Sequence, residues 1–302
     1  MFTRLLVPLD GSTLAESSLP AALEVGRRLR ADIVLYHALE RGAPAMVHGE
    51  RHLTNLDEAG RYLSGVAEWF AQHGVTATPR MDAGTGDVAA RIASAAAREP
   101  ADLIVLCTHG SGGLRGLLFG RVAQQVLQRG TVPVLLVPPS GAGREQGFQC
   151  RSVLVPLDGS ATAETAVPAA AALAGGFGAE VILAIVVPTV ETISGERAAA
   201  TRLMPTAATA LLDAEAAEGE EYLDAMVRTL SAQGLHARAA VERGEPVRTL
   251  LNAAAAQGVD VIVIATHGRS GVGAVWAGSV AQRIIAQSLR PVLLVRIAAA
   301  TP

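Results

Sequence analysis

The sequence has no lysine, so all 25 basic side chains of this 302-residue chain are arginine. Without lysine the protein can form no Schiff base, and it lacks the phosphate-binding lysine of a P-loop. Cysteine is scarce as well, because Cys107 and Cys150 alone make neither a disulfide framework nor a metal cluster. Lysine-dependent catalysis, P-loop nucleotide binding and a disulfide scaffold are therefore excluded.

Strong charge and long apolar runs are also missing. The formal net charge is −3, which provides no electrostatic field suited to nucleic acid or to an anionic membrane. No apolar run approaches the roughly 18 residues of a membrane-spanning helix, and Asp10 interrupts the N-terminal apolar segment. We therefore expect a cytoplasmic protein whose partners include neither nucleic acid nor a membrane.

What the sequence does contain is a long internal repeat. Residues 6–12, Leu-Val-Pro-Leu-Asp-Gly-Ser, recur identically at residues 154–160. The chain length suits two domains of ordinary size, which we place at residues 1–140 and 150–302. The segment between them is rich in Pro, Gly and Ser and is predicted to be a linker. The second copy is longer in its middle, where residues 189–219 predict an added helical segment.

Each copy alternates short β-branched runs with longer alanine-rich stretches, which is typical of a parallel α/β sheet. Continuous apolar runs indicate strands that are covered on both faces. The first copy predicts strands at residues 4–8, 33–38, 76–81, 103–107 and 134–137. The second copy predicts them at residues 152–156, 181–187, 236–241, 261–265 and 292–296.

Two local signals concern the first helix of each copy. Thr13, followed three residues later by Glu16, has the spacing of a capping box and predicts the start of a helix. Pro20 and Pro168 occupy the same place in the two copies. Each proline either kinks this helix or lies in its first turn, and both alternatives stay open.

The first candidate site is the loop Asp10-Gly11-Ser12 and its copy, residues 158–160, at the carboxyl end of the first predicted strand. In doubly wound sheets, ligands bind just beyond the carboxyl ends of the strands, where the strand order reverses. A carboxylate there can accept a hydrogen bond from a ribose hydroxyl or an adenine amine. Alternatively, Asp and Ser only cap the next helix. The identity of seven residues in both copies favours a ligand, because a cap would tolerate Asn or Thr.

The second candidate site is the glycine-rich loop after the fourth strand, at residues 107–121 and 265–279. Glycines let the backbone approach a ligand closely, and successive exposed N–H groups bind anions. A helix that begins near Gly120 or Gly278 would add a favourable field for phosphate, and Ser279 would add a hydroxyl donor. A flexible surface loop without a ligand is the alternative.

Two histidines in these loops invite a catalytic interpretation. His109 and His267 have no recognisable nucleophile at a fixed spacing, and a triad cannot be inferred from sequence. We expect the imidazoles to hydrogen-bond the loop backbone and to fix its shape.

Together these motifs resemble the universal stress protein family, in a tandem two-domain form. The family's ATP-binding pattern is a glycine, two residues, a glycine, nine residues, and a glycine followed by Ser or Thr. The second copy matches this pattern at Gly268, Gly278 and Ser279, with Ala265 in place of the leading glycine. The resemblance extends over both copies nearly end to end.

The first copy departs further from the family pattern. It retains Gly110 and Gly120, but Cys107 replaces the leading glycine and Arg121 replaces the final Ser or Thr. Arg121 would either block the helix start or pair with a phosphate. We therefore expect the second copy to bind ATP and the first to bind it more weakly or not at all.

The resemblance implies nucleotide contacts at matching positions of both copies. In the second copy these are Pro156, Asp158, Val186, Ala265, Gly268, Gly278, Ser279 and Val280. In the first copy they are Pro8, Asp10, Ala38, Gly110 and Gly120. No catalytic residue and no protein metal ligand is predicted, and Mg²⁺ would accompany ATP by bridging its phosphates.

The family resemblance also implies the fold: two flavodoxin-like α/β domains, of the adenine nucleotide alpha hydrolase-like type, with five-stranded parallel sheets. Their fifth strands would meet across an internal pseudo-two-fold axis. The implied function is ATP binding in stress response or signalling, through nucleotide-dependent conformation or partner choice, with unidentified protein partners or a homodimer. A nucleotide-free scaffold and a slow ATPase are the alternatives.

Overall fold

The computed structural model describes residues 2–40, 46–47, 50–51, 53, 55–108, 120–139, 143–145, 147–193, 203–267 and 279–297, with the backbone alone for 46–47, 50–51, 267 and 279. The chain forms two compact units. The first comprises Met1–Gln149, Thr266–Ala277 and Ile285–Pro302, and the second comprises Cys150–Ala265 and Gly278–Ile284. The predicted domain boundaries, 1–140 and 150–302, stay predictions.

All ten predicted strands are present, and their bounds differ from the prediction by at most two residues. In the first copy they are β1 (Arg4–Pro8), β2 (Asp32–Ala38), β5 (Ala77–Asp82), β6 (Leu103–Cys107) and β7 (Val134–Val137). In the second copy they are β8 (Ser152–Leu157), β9 (Glu180–Val187), β10 (Ala237–Arg243), β11 (Val261–His267) and β12 (Val292–Ile297). A small antiparallel pair, β3 (Met46–Val47) and β4 (Glu50–Arg51), was not predicted.

The sheet of the first unit has the strand order β12-β7-β6-β1-β2-β5. The strands β7 to β5 in this order are parallel. The last strand of the chain, β12, pairs with β7 in the antiparallel sense, with Leu293 opposite Leu135. The centre of the sheet is apolar on both faces, because Leu5, Leu6 and Val7 of β1 are fully buried.

The sheet of the second unit repeats this arrangement, with the parallel order β10-β9-β8-β11. Val153, Leu154 and Val155 at its centre are buried like their counterparts in β1. The α/β fold with a mostly parallel sheet is therefore confirmed. The fifth strands also pair with each other as expected, although contacts place β12 in the first unit.

Ten α-helices connect or flank the described strands. They are α1 (Thr13–Glu16), α2 (Leu19–Leu29), α3 (Leu56–Gln72), α4 (Val88–Arg98), α5 (Arg121–Arg129), α6 (Ala161–Glu164), α7 (Val167–Phe177), α8 (Pro205–Ala232), α9 (Pro246–Ala256) and α10 (Ser279–Gln287). Within the described ranges, no helix combines the length and the apolar character needed to cross a membrane.

The predicted capping box at Thr13 is wrong. The N-cap of α1 is Ser12, which has extended backbone angles and accepts a hydrogen bond from the Ala15 N–H. Helix α1 ends after one turn, and α2 starts separately at Leu19. Pro20 lies in the first turn of α2, and Pro168 lies in the first turn of α7. The first-turn alternative therefore holds for both prolines, since neither interrupts a helix.

The longer middle of the second copy is helical where it is described. Helix α8 has 28 residues, against 17 in the corresponding α3. Residues 194–202 of the predicted insertion lie outside the described part. In the predicted linker, Gly143–Glu145 forms a single 3₁₀ turn.

Candidate functional site

The first candidate site lies where the strand order reverses. From β1 the chain adds β2 and β5 on one side, and then β6 and β7 on the other. In the second unit, β9 and β10 follow β8 on one side, and β11 lies on the other. Pro8 ends β1, and Pro156 lies one residue before the end of β8. Asp10 and Asp158 therefore follow the strands beside the two crevices in which ligands of such sheets bind.

Both aspartate loops have the same hydrogen bonds. The Oδ1 atom of Asp10 accepts from the Ser12 N–H at 2.9 Å and from the Ser12 hydroxyl at 2.7 Å. In the copy, Asp158 Oδ1 accepts from the same two groups of Ser160 at 3.0 and 2.6 Å. Each serine oxygen then accepts from the backbone N–H three residues later, at 3.1 Å.

This geometry separates the roles of the two polar residues. The serine caps the next helical turn, as the capping alternative predicts, whereas the aspartate does not cap it and holds the serine through one of its two oxygens. Both Asp10 and Asp158 are exposed. Among the described residues, no hydrogen bond involves the second carboxylate oxygen, Oδ2, of either aspartate. The loops therefore present a preoriented acceptor at each crevice.

Two of the predicted nucleotide contacts, Ala38 and Val186, lie on the strands next to β1 and β8. Ala38 is the last residue of β2 and is in register with Asp82 of β5. Val186 of β9 is in register with Glu242 of β10. Both apolar side chains are half-buried. They are one strand away from the aspartate loops.

The described part of the glycine loop shows where its helix begins. The Gly120 N–H donates to the Thr108 carbonyl oxygen, just after β6, and Gly120 is the N-cap of α5. Arg121 is the exposed first residue of α5, where α10 has Ser279. The helix N-terminus predicted for phosphate therefore lies next to the end of β6.

The remaining predicted residues of this loop are only partly described. Ala265 lies half-buried near the end of β11, and Val280 is the half-buried second residue of α10. Gly110, Gly268, Gly278 and His109 lie outside the described residues, and so do the side chains of His267 and Ser279.

The comparisons with known proteins agree with this arrangement. The model of the universal stress protein family matches residues 1–138 and again residues 150–296. The chain belongs to the universal stress protein family. It is similar to a universal stress protein of Thermus aquaticus, with 30% identity over 149 residues, which cover 48% of this chain and 98% of that protein.

Two further relatives resemble this chain. A universal stress protein of Bacillus subtilis is 28% identical over 149 residues, covering 45% of this chain and 99% of its own length. The crystal structure of a universal stress protein from Archaeoglobus fulgidus covers 97% of this chain and 98% of its own, with a TM-score of 0.65 and 20% identity. The similarity to the Archaeoglobus fulgidus structure shows the fold.

Sequence reasoning missed a tyrosine beside each aspartate loop of this universal stress protein. The Tyr62 hydroxyl of α3 donates to Glu16 Oε1 at 3.1 Å, and the Tyr222 hydroxyl of α8 donates to Glu164 Oε1 at 2.8 Å. Burial, and next the carboxylate of the paired glutamate, raise the pKa of each tyrosine. The chain has only three tyrosines, so the equivalent placement of two was a usable signal.

The first copy has a contact from the predicted linker. Arg144 forms an ion pair with Glu16, with Nη2 to Oε1 at 2.6 Å and Nε to Oε2 at 3.0 Å. Its guanidinium also lies 6.0 Å from the centre of the Trp69 ring. The hydrogen bonds to the Glu16 carboxylate are the main cause that raises the pKa of Arg144. Part of the linker is thus bound to the turn that follows Asp10.

The first copy also contains a partly buried polar network at the ends of β2 and β5. Asp82 accepts from the Tyr36 hydroxyl at 2.6 Å, from the Gly84 N–H at 2.7 Å and from Arg91 Nε at 3.2 Å. Arg91 also donates to the Leu39 carbonyl oxygen at 2.7 Å, and its side chain is only 9% exposed. This network fixes the backbone on both sides of Ala38.

The glycine of each aspartate loop allows a matched prediction. Gly11 and Gly159 have φ values of +90° and +79°, so alanine is strained at either position by about 1 kcal/mol. A methyl group at Gly11 would also lie 2.8 Å from Leu53 Cγ, whereas at Gly159 it would meet nothing within 4 Å. We expect Gly11→Ala to lower the free energy of unfolding more than Gly159→Ala, as measured by urea denaturation. Equal losses would contradict the close approach to Leu53.

Proposed function

We propose that this universal stress protein binds ATP at the carboxyl edges of its two sheets, and that the second copy is the tighter site. The observation that carries the proposal is the repeated aspartate loop, with nearly identical hydrogen bonds at both reversals of strand order. An exposed carboxylate there suits a ribose hydroxyl or an adenine amine. The apolar Ala38 and Val186 suit the face of a base.

The helix that follows the glycine loop supports the phosphate end of the proposal. Helices α5 and α10 begin directly after Gly120 and at Ser279, and a helix N-terminus attracts phosphate. In the first copy the exposed Arg121 occupies the position of Ser279. This substitution is why we place the tighter site in the second copy. Mg²⁺ would be held chiefly by phosphate oxygens.

Membership of the family supports a role in stress response. We propose that bound nucleotide acts there by changing the protein's conformation or its choice of protein partner, in the cytoplasm. A scaffold that carries no nucleotide is the competing function, and the replacements Cys107 and Arg121 favour it for the first copy.

The test compares two variants that preserve the loop. In Asp158→Asn and Asp10→Asn, the side-chain amide oxygen can still accept the hydrogen bonds from Ser160 or Ser12. The amide N–H₂ group then takes the place of the second carboxylate oxygen, so that an acceptor becomes a donor. We expect Asp158→Asn to weaken the tighter ATP site about 10- to 150-fold, as the loss of a charge-assisted hydrogen bond implies. Asp10→Asn should leave that site unchanged. Isothermal titration with ATP measures both, with melting temperatures as the check on folding.

Heat release of bound small molecules, followed by mass spectrometry, completes the test. ATP recovered from the wild-type chain would support the proposal. If heating releases no nucleotide and titration with ATP gives no heat of binding, the result would favour the scaffold function instead. A loss of the tight site in Asp10→Asn alone would mean that the first copy dominates.

A further inference from the structure

The helical turns that follow the two aspartate loops are short. Helices α1 and α6 contain four residues each, and none of these residues is buried. Hydrophobic burial therefore contributes little to fixing their orientation. The hydrogen bonds at their two ends therefore matter for their orientation.

One end of each turn is tied to the aspartate. Ser160, the N-cap of α6, connects Asp158 to the turn through the hydrogen bonds described above. The other end is tied to a tyrosine on a different helix, because Glu164 is the last residue of α6 and accepts from Tyr222. In the first copy, Ser12 connects Asp10 to the start of α1 in the same way, and Glu16 is the last residue of α1.

Each tyrosine also interacts electrostatically with the aspartate of its own copy. Beyond burial and the paired glutamate, Asp10 contributes to raising the pKa of Tyr62, and Asp158 contributes to raising that of Tyr222. Each phenol therefore stays protonated at neutral pH and can donate its hydrogen bond continuously. The same group of three side chains occurs in both copies, connected across 46 and 58 residues of sequence.

We propose that the pairs Tyr222–Glu164 and Tyr62–Glu16 are positioning residues of the two nucleotide sites, each holding the turn that orients the site aspartate toward the ribose. This inference rests on the proposed ATP binding. It assigns Tyr222 and Glu164 no contact with the nucleotide. Their effect is on the geometry of Asp158.

The linker makes the two copies unequal in this respect. Glu16 is held both by Tyr62 and by the ion pair with Arg144, and its side chain is 14% exposed. Glu164 is held by Tyr222, and among the described residues it has no arginine partner. Removal of the phenol hydroxyl should therefore disturb the second copy more than the first.

The experiment measures the full-length chain against ATP and against its 2′,3′-dideoxy analogue, which lacks both ribose hydroxyls. We expect Tyr222→Phe to weaken ATP at the tight site by about fivefold, the usual effect of one hydrogen bond, and to leave the analogue's affinity unchanged. The matched variant Tyr62→Phe should leave both affinities at the tight site unchanged. Glu164→Gln keeps an oxygen acceptor and should preserve the preference for ATP over the dideoxy analogue. Glu164→Ala should lose this preference.

The outcomes separate the inference from the proposed function. A wild-type chain that binds neither nucleotide would overturn the proposed function and the inference with it. A wild-type chain that binds ATP, with an unchanged affinity ratio in Tyr222→Phe, would overturn the inference alone. An equal loss for both nucleotides would overturn it too, because it would indicate a general structural role.

Discussion

Asp82→Ala is expected to lower the free energy of unfolding by about 3–5 kcal/mol, because it leaves the buried Arg91 guanidinium without its carboxylate. The side chains of Asp82 and Arg91 are 18% and 9% exposed, and their Oδ1 and Nη2 atoms are 3.1 Å apart. Tyr36 and the Gly84 N–H lose their acceptor in the same variant. Urea denaturation of the full chain measures the loss.

The second copy provides the control for this prediction. Glu242 occupies the register position beside Val186 that Asp82 occupies beside Ala38. It is half-buried, and its described hydrogen bond is a long one of 3.5 Å to Gln257. We expect Glu242→Ala to change stability by no more than about 0.5 kcal/mol. Similar losses in the two variants would show that the Arg91 network has no special role.

A second readout is the pH dependence of the difference in unfolding free energy between the wild type and Asp82→Ala. The hydrogen bond from Arg91 is the largest cause that holds the pKa of Asp82 well below its ordinary value of 3.8. A carboxyl whose pKa is lower in the folded state stabilises the protein fully above its unfolded pKa. The difference in unfolding free energy should therefore have its largest value at neutral pH and decrease as the pH falls below 3.8.

The strands were predictable because their signals are local. The apolar runs at the start of each copy match β1 and β8, and the duplication lets each run confirm the other. The aspartate loops were predictable for the same reason: an identical motif at the end of a strand places them at the carboxyl edge. Parallel-sheet topology then determines which loops are neighbours.

The pairing of the polar side chains around the site was not predictable, because it depends on long-range geometry. Tyr62 meets Glu16 across 46 residues, and this contact requires α3 to lie next to the end of α1. Arg91 reaches both Asp82 and the Leu39 carbonyl only because β2 and β5 are in register. No spacing within one helix or strand encodes such pairs.

The wrong cap shows a limit of local rules. Thr13 and Glu16 have the spacing of a capping box, yet the cap is one residue earlier. Asp10 decides this, because its hydrogen bonds hold Ser12 in the extended conformation that an N-cap needs. Glu16 is thereby left to accept from Tyr62 instead of the helix start.

The second large effect is expected where β7 and β12 pair. Leu135 and Leu293 are directly opposite in this antiparallel pair, and each is 1% exposed. Directly opposite side chains lie on the same face of the sheet, with Cβ atoms about 4.5–5.5 Å apart. We expect Leu135→Ala and Leu293→Ala each to cost about 2–5 kcal/mol of unfolding free energy. Because the second truncation enlarges a cavity already made, the double variant should cost less than the sum.

The size of this coupling tests the pairing itself. Residues in contact couple by about 0.5–3 kcal/mol, whereas residues more than about 10 Å apart are additive. Leu5 of β1 is the matched control, since it is equally buried and lies three strands from β12, or about 14 Å. Urea denaturation should therefore show coupling between Leu135 and Leu293 and additivity between Leu5 and Leu293. Additivity in both pairs would mean that β7 and β12 do not pair in solution, and the first sheet would then end at β7.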